Sequence, residues 1–336
     1  MGTVGRHIFN TLNQNAPAAI INPGNNSQFV QPFPLFAGDN FVAVSGVSTY
    51  NALQAKIDKR FSNGLSFLTT YTWSHSLDDA PSALGSTGEG GYRNPTLIPI
   101  INDFANSPFD TRQRFTINGL YELPFGVGRA HFSHRGVAEL LAGGWSSSLT
   151  FAAQTGNPFT VYPDITTASG GSAHAIRVGD PFAPGGSPDA SNPGVSCPTS
   201  VRNRKNWYNP CAFANPLPGS LISPGPNGGN PQPGYSYPQY VTSLPQVEQF
   251  LGGRRNQITG PGYERINMSV FKDFTTFREQ KLQFRTDIFN LLNTPAYGDP
   301  SVTSNNSNGG QITAPRFLQS NTPDARFFQF SLKYLF

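Results

Sequence analysis

Few residues in this 336-residue chain have the types and spacing that chemistry needs. The stretch "GVGRAH", Gly126–His131, places two glycines as a phosphate loop would. It lacks the third glycine and the strand–helix unit that aims backbone amides at a phosphate, so it reads as a turn. His131 and His134 stand close together in "HFSH", but no third or fourth ligand lies near them in sequence, and this stretch also reads as a solvated turn. Asp78, Asp79 and Glu89 could offer oxygens to calcium from a loop, without the spacing of a helix–loop–helix calcium site. No G-x-S-x-G occurs, and the five histidines form no nucleophile constellation. Nothing here asks for an enzyme, a cofactor or a metal. The remaining pair is Cys197 and Cys211, which bracket "PTSVRNRKNWYNP". They are either two thiols or one bridge, and the compartment decides which.

Composition narrows the class. The chain has 35 Gly, 30 Pro and 27 Phe, with 12% aromatic residues, too many for simple disorder. A net charge of +4 with no Lys/Arg run leaves nucleic-acid binding without an electrostatic footprint. No apolar run approaches the length of a transmembrane helix, which leaves open a membrane crossed by strands. The opening "MGTVGRHIFNTLNQNAP" has no apolar core and no cleavage site, so an export signal is expected outside this chain.

The elements that would position any site are strands. "RFFQFSLKYLF" carries Phe328, Phe330, Leu332, Tyr334 and Phe336 on one side of a period-two ribbon, against Gln329, Ser331 and Lys333 on the other. The same two-faced pattern recurs in "YNALQAKIDKRF", "GLSFLTTYTWSH", "RFTINGLYE", "WSSSLTFAAQ", "ERINMSVFKDF" and "KLQFRTDIFNLLN", and more weakly in "TVGRHIF". Strands are expected near 2–9, 48–61, 64–75, 112–122, 145–154, 263–274, 280–291 and 325–336. Residues 10–47, 76–111, 155–262 and 292–324 are expected to be long loops, alternating with short links such as "SNG". Compact soluble domains rarely carry such loops, whereas outer-membrane barrels combine short turns at one end with long loops at the other. Two sheets packed as a sandwich are the alternative, with the apolar faces meeting inside.

Particular stretches carry a family resemblance. "SPFDTRQRFTINGLYELPFGVGR" (Ser107–Arg129), "FRTDIFNLLNTPAYGDP" (Phe284–Pro300) and the opening "GTVGRHIFNTLNQNAP" resemble the barrel of Oar-like TonB-dependent outer-membrane receptors. The final strand, with Phe328, Phe330, Leu332, Tyr334 and Phe336, looks like the assembly signal that the barrel-assembly machinery reads by β-augmentation.

The resemblance implies an all-β fold: an antiparallel transmembrane β-barrel, here a partial barrel of about seven or eight strands with long extracellular loops. Members of that family also have a plug and earlier strands, reaching about 22 in such transporters, so the chain is expected to be the C-terminal part of one. The function implied is uptake of a bulky nutrient, a carbohydrate or oligomeric substrate, across the cell outer membrane of a Gram-negative type. The partners implied are outer-membrane lipid and the assembly machinery, with the TonB complex and plug belonging to the full-length relative. A surface or adhesion barrel without transport, or a small passive porin, are the alternatives. In such an exported setting an even cysteine count reads as a Cys197–Cys211 disulfide.

Overall fold

The computed structural model describes residues 8–13, 40–79, 104–129, 131, 136–163, 174–216, 252–275, 280–304, 308–316 and 325–336. Seven long strands form one antiparallel meander: β3 (Ser48–Ser62), β4 (Leu65–Asp78), β6 (Gln113–Glu122), β7 (Trp145–Gln154), β12 (Tyr263–Thr275), β13 (Lys281–Phe289) and β14 (Phe327–Leu335). Each pairs with the next, in the order β14-β13-β12-β7-β6-β4-β3, and β5 (Ala105–Asn106) adds to the end of β4. Among the described residues the sheet does not close, and β3 and β14 are its two edges. Strands of 10 residues such as β6 and β7, rising roughly 3.3 Å per residue at a tilt of about 40°, cross an apolar band of about 25 Å.

The shorter connections between neighbouring strands of this sheet lie at one end. Between β3 and β4 the chain reverses through Asn63 (φ 52°) and Gly64 (φ 76°), the paired positive φ angles of the two-residue hairpin turn that matches strand twist. At the same end, β6 and β7 are linked through a short helix, α1 (Val137–Ala142), and β12 and β13 by residues 276–280. The opposite end holds everything long. There the described parts of the segments after β4, β7 and β13 fold against one another as a cap. Within it lie three short pairings: β8 (Pro158–Phe159) with β11 (Ile258–Thr259), and β9 (Ile176–Arg177) with β10 (Phe213–Ala214), besides β5 on β4.

The buried apolar residues locate the core, and they lie in the cap. Val161, Ala175, Tyr208, Ala212, Phe213 and Ile258 form a cluster, with Phe159, Phe182 and Trp207 packed against it. Gly156 makes the entry to this cap possible, because a Cβ there would overlap the Gly260 carbonyl where the two chains approach.

Two sequence expectations change. The strand expected near 2–9 and the loop expected over 10–47 give way to a separate hairpin, β1 (Ile8–Asn13) paired with β2 (Asn40–Gly46), while residues 1–7 lie outside the described residues. Within the loop expected from 155 to 262, the described residues 155–163, 174–216 and 252–262 form short pairings and a packed core, and the rest lies outside the described residues. A two- or four-residue sequence period cannot reveal such packing among Gly, Pro and Asn residues.

Candidate functional site

The site is the sheet's two faces and the cap above them. Residues opposite each other in an antiparallel ladder share a face, so the register sorts every side chain. One row reads Ile57, Thr69, Ile117, Phe151 and Ile266; the next reads Phe67, Gly119, Leu149, Met268, Ile288 and Phe328; a third reads Leu65, Tyr121, Ser147, Val270, Thr286 and Phe330. This face is apolar and uncovered. Leu53, Ile57, Trp73, Leu149, Phe330 and Leu332 are each 37–68% exposed. A sandwich would have buried them against a second sheet, and among the described residues no second sheet lies on them. Lipid is the solvent that such a surface fits.

The other face is mostly polar, with Leu68, Leu120 and Phe271 among Thr, Ser, Asn and charged residues. Thr70 and Thr116 pair across strands at 2.6 Å. Asp287 accepts hydrogen bonds from Ser269 and, at 2.8 Å, from Arg285 Nε, and the Arg285 guanidinium lies 5.8 Å from the centre of the Phe271 ring. On the edge strand, Gln329, Ser331 and Lys333 continue this face, whereas Phe328, Phe330, Leu332 and Tyr334 continue the apolar one. Such a face lines water.

Lys272 departs from the pattern, because the register places it on the apolar face beside Trp145. Its stem lies along that surface and its ammonium reaches the turn end, donating to the Glu139 carbonyl of α1 at 2.9 Å and lying 5.1 Å from the Phe274 ring. Trp145 Nε1 donates to the Leu141 carbonyl of the same helix at 2.8 Å. A charge thus leaves the lipid-facing surface by snorkelling, and an aromatic residue anchors the boundary. The sequence signal for this role was the lone lysine on the apolar parity of "INMSVFKDF".

At the loop end, Arg255 Nη2 meets Asp78 Oδ1 at 3.1 Å, with both side chains at most 5% exposed. Asp110 Oδ1 accepts from the Ser76 amide, and Asp79 Oδ1 from the Val47 amide, each at 2.8 Å. The cap segments are stitched together by Tyr162 N–H to the Val302 carbonyl, Trp207 N–H to the Gly310 carbonyl and Tyr208 Oη to the Ser301 carbonyl. Burial raises the Tyr208 phenol well above its ordinary value, against a smaller lowering by a backbone hydrogen bond at Gly310.

Cys197 and Cys211 are disulfide-bonded, with Cα atoms 5.4 Å apart. Asp78 and Asp79 serve the contacts just described, and Glu89 lies outside the described residues. Gly126 and Gly128 sit at positive φ in a turn closed by a Phe125–His131 bridge; His134 lies outside the described residues. Among the described residues, no three His, Cys, Asp or Glu side chains cluster so as to hold a metal. No helix among them is long and apolar enough to cross a membrane. The arrangement can separate lipid from water and present a folded surface at one end.

An antiparallel sheet with a bare apolar face, a wet polar face and all long loops at one end defines a membrane β-barrel wall. The chain matches the model of the outer membrane beta barrel domain over residues 1–329 and belongs to that family. The lipid that meets the apolar face is therefore that of an outer membrane. No curated protein matches the chain.

Proposed function

We propose that the chain is the C-terminal barrel portion of an Oar-like TonB-dependent receptor, taking part in uptake of a bulky carbohydrate or other oligomer across a Gram-negative-type outer membrane. The observation that carries this reading is the charged, water-lining face of Arg285, Asp287 and Ser269 running beneath a folded cap. A wide lumen needs such a wall, and a selective receptor needs structured loops at its mouth. The resemblance of Ser107–Arg129 and Phe284–Pro300 to the Oar-like barrel supports the same reading. The loop end then faces outward and the tight turns face the periplasm. A plug gates the lumen and the TonB complex supplies the energy. The edge strand β14, with Phe328, Phe330, Leu332, Tyr334 and Phe336 exposed, serves the assembly machinery by β-augmentation. This reading assigns the protein no catalytic step and no nucleic-acid partner.

A second reading, a surface or adhesion barrel without transport, is favoured by the cap's own apolar core and disulfide. Deleting the gene in its host separates the two. Transport predicts loss of uncoupler-sensitive accumulation of a labelled oligosaccharide. Unchanged accumulation together with lost surface attachment would replace it with adhesion.

A further inference from the structure

The groove of about 760 Å³ beneath the cap opens onto the apolar, outer wall of the sheet rather than onto the lumen. Its floor is chiefly one row of the ladder: Tyr71 opposite Phe115, Phe115 opposite Ala153, and Ala153 opposite Glu264, with Gln113 beside it on the same face. Of the residues of opposite parity, Gln154 and Tyr263 at the strand ends join the lining, whereas Thr72, Arg114, Ala152 and Arg265 take no part in it. Directly along the wall, the next row offers Ile117, Phe151 and Ile266, so the floor is continuous with the lipid-facing band.

The roof comes from the cap. Phe182, Trp207 and Tyr297 supply ring faces, and Arg202 lies with its guanidinium 4.3 Å from the centre of the Phe182 ring. Arg202 holds a positive φ of 61°, which a non-glycine residue adopts only when its surroundings impose it. Here the turn does so, through the Arg202 N–H donating to the Trp207 carbonyl at 3.1 Å. The same turn carries exposed Arg204 and Lys205, and no Asp or Glu occurs from 190 to 215. The roof is therefore cationic and aromatic, the floor largely apolar, and Glu264 at the end of the floor row is the single carboxylate of the lining.

We propose that this groove binds an anionic glycolipid of the surrounding outer leaflet. Acyl chains lie down the wall from Phe115 toward Ile117, the phosphate of the head group meets Arg202, and sugar rings stack on Trp207 and Tyr297 with a hydroxyl donating to Glu264. This rests on the apolar face meeting lipid and on the loop end facing outward, and does not depend on transport.

The test uses the outer-membrane protein purified in detergent and native mass spectrometry with three probes: a diphosphorylated, acylated glucosamine disaccharide, its dephosphorylated form, and its deacylated form. The acylated diphosphate is expected to bind at least about tenfold tighter than either other probe, the size of one charge-assisted hydrogen bond. Arg202→Gln should erase the phosphate preference while heat-modifiable mobility stays unchanged. Ala153→Trp, which fills the floor of the groove, should displace the lipid while heat-modifiable mobility stays unchanged. Equal binding with and without phosphate, equal binding of the deacylated sugar, or indifference to both substitutions would overturn the proposal.

Discussion

Arg255, just before β12, reaches Asp78 at the end of β4, 177 residues away in sequence, and the two side chains form an ion pair buried under the cap. Arg255 Nη1 also donates to the Asp78 backbone carbonyl at 3.3 Å. This contact joins two loops that the sheet separates by two intervening strands.

Removing one partner leaves the other charge buried and uncompensated, which costs about 3–5 kcal/mol. Arg255→Ala is expected to loosen the cap, raising protease cleavage within 155–262 in intact outer-membrane fractions. The double substitution Arg255→Met/Asp78→Leu should restore much of that protection. Protection unchanged in Arg255→Ala would mean that the pair does not hold the loops together.

The disulfide acts on the cap alone. Cys197 and Cys211 are 14 residues apart in sequence, and closing a loop of about 15 residues restricts the unfolded chain by roughly 3 kcal/mol in the chain-entropy model. A non-reduced digest should contain the two peptides cross-linked. Reduction should expose the cap to protease while leaving the heat-modifiable mobility of the sheet unchanged. Both thiols alkylated before reduction would contradict the bridge.

Tyr208 makes the cap sensitive to alkali. Its phenol is held above the value it has in the unfolded chain, about 10, because burial disfavours the phenolate. The folded state therefore keeps its proton where the unfolded state loses it. The stabilisation is complete below pH 10 or so and declines as pH rises toward the folded value. Tryptophan fluorescence, which reads neighbouring Trp207, should report cap opening above about pH 10, and Tyr208→Phe should flatten that transition. An identical transition in both proteins would remove Tyr208 from this role.

The fold class was legible because strands obey a period of two wherever one face meets lipid and the other water. Leu149, Phe151 and Ala153 against Ser148, Thr150 and Ala152 show how little more than alternation is required. Lengths of 9 to 15 residues and the tight Asn63–Gly64 turn strengthened the pattern. The cap was not legible. Its core joins Val161, Tyr208, Phe213 and Ile258 from distant segments, and no local period records such packing. The Arg255–Asp78 pair was hidden for the same reason, since Asp78 read only as one acid beside another. Cys197 and Cys211 were visible because cysteine is rare in this chain and its chemistry does not depend on periodicity.

One face of the sheet meets lipid and the other meets water, and adjacent residues in the middle strand separate the two. Leu149 and Thr150 both sit in β7, flanked by β6 and β12, and both are exposed, on opposite faces. An arginine on the lipid face costs about 2–4 kcal/mol near the midplane, whereas one in the lumen is solvated. The same contrast applies at the edge strand to Leu332 and Gln329. The measurement is heat-modifiable mobility and protease resistance of the full protein in outer-membrane fractions. Leu149→Arg should prevent assembly and Thr150→Arg should leave it intact. Equal damage from both substitutions, or damage from Thr150→Arg alone, would contradict a two-faced membrane wall.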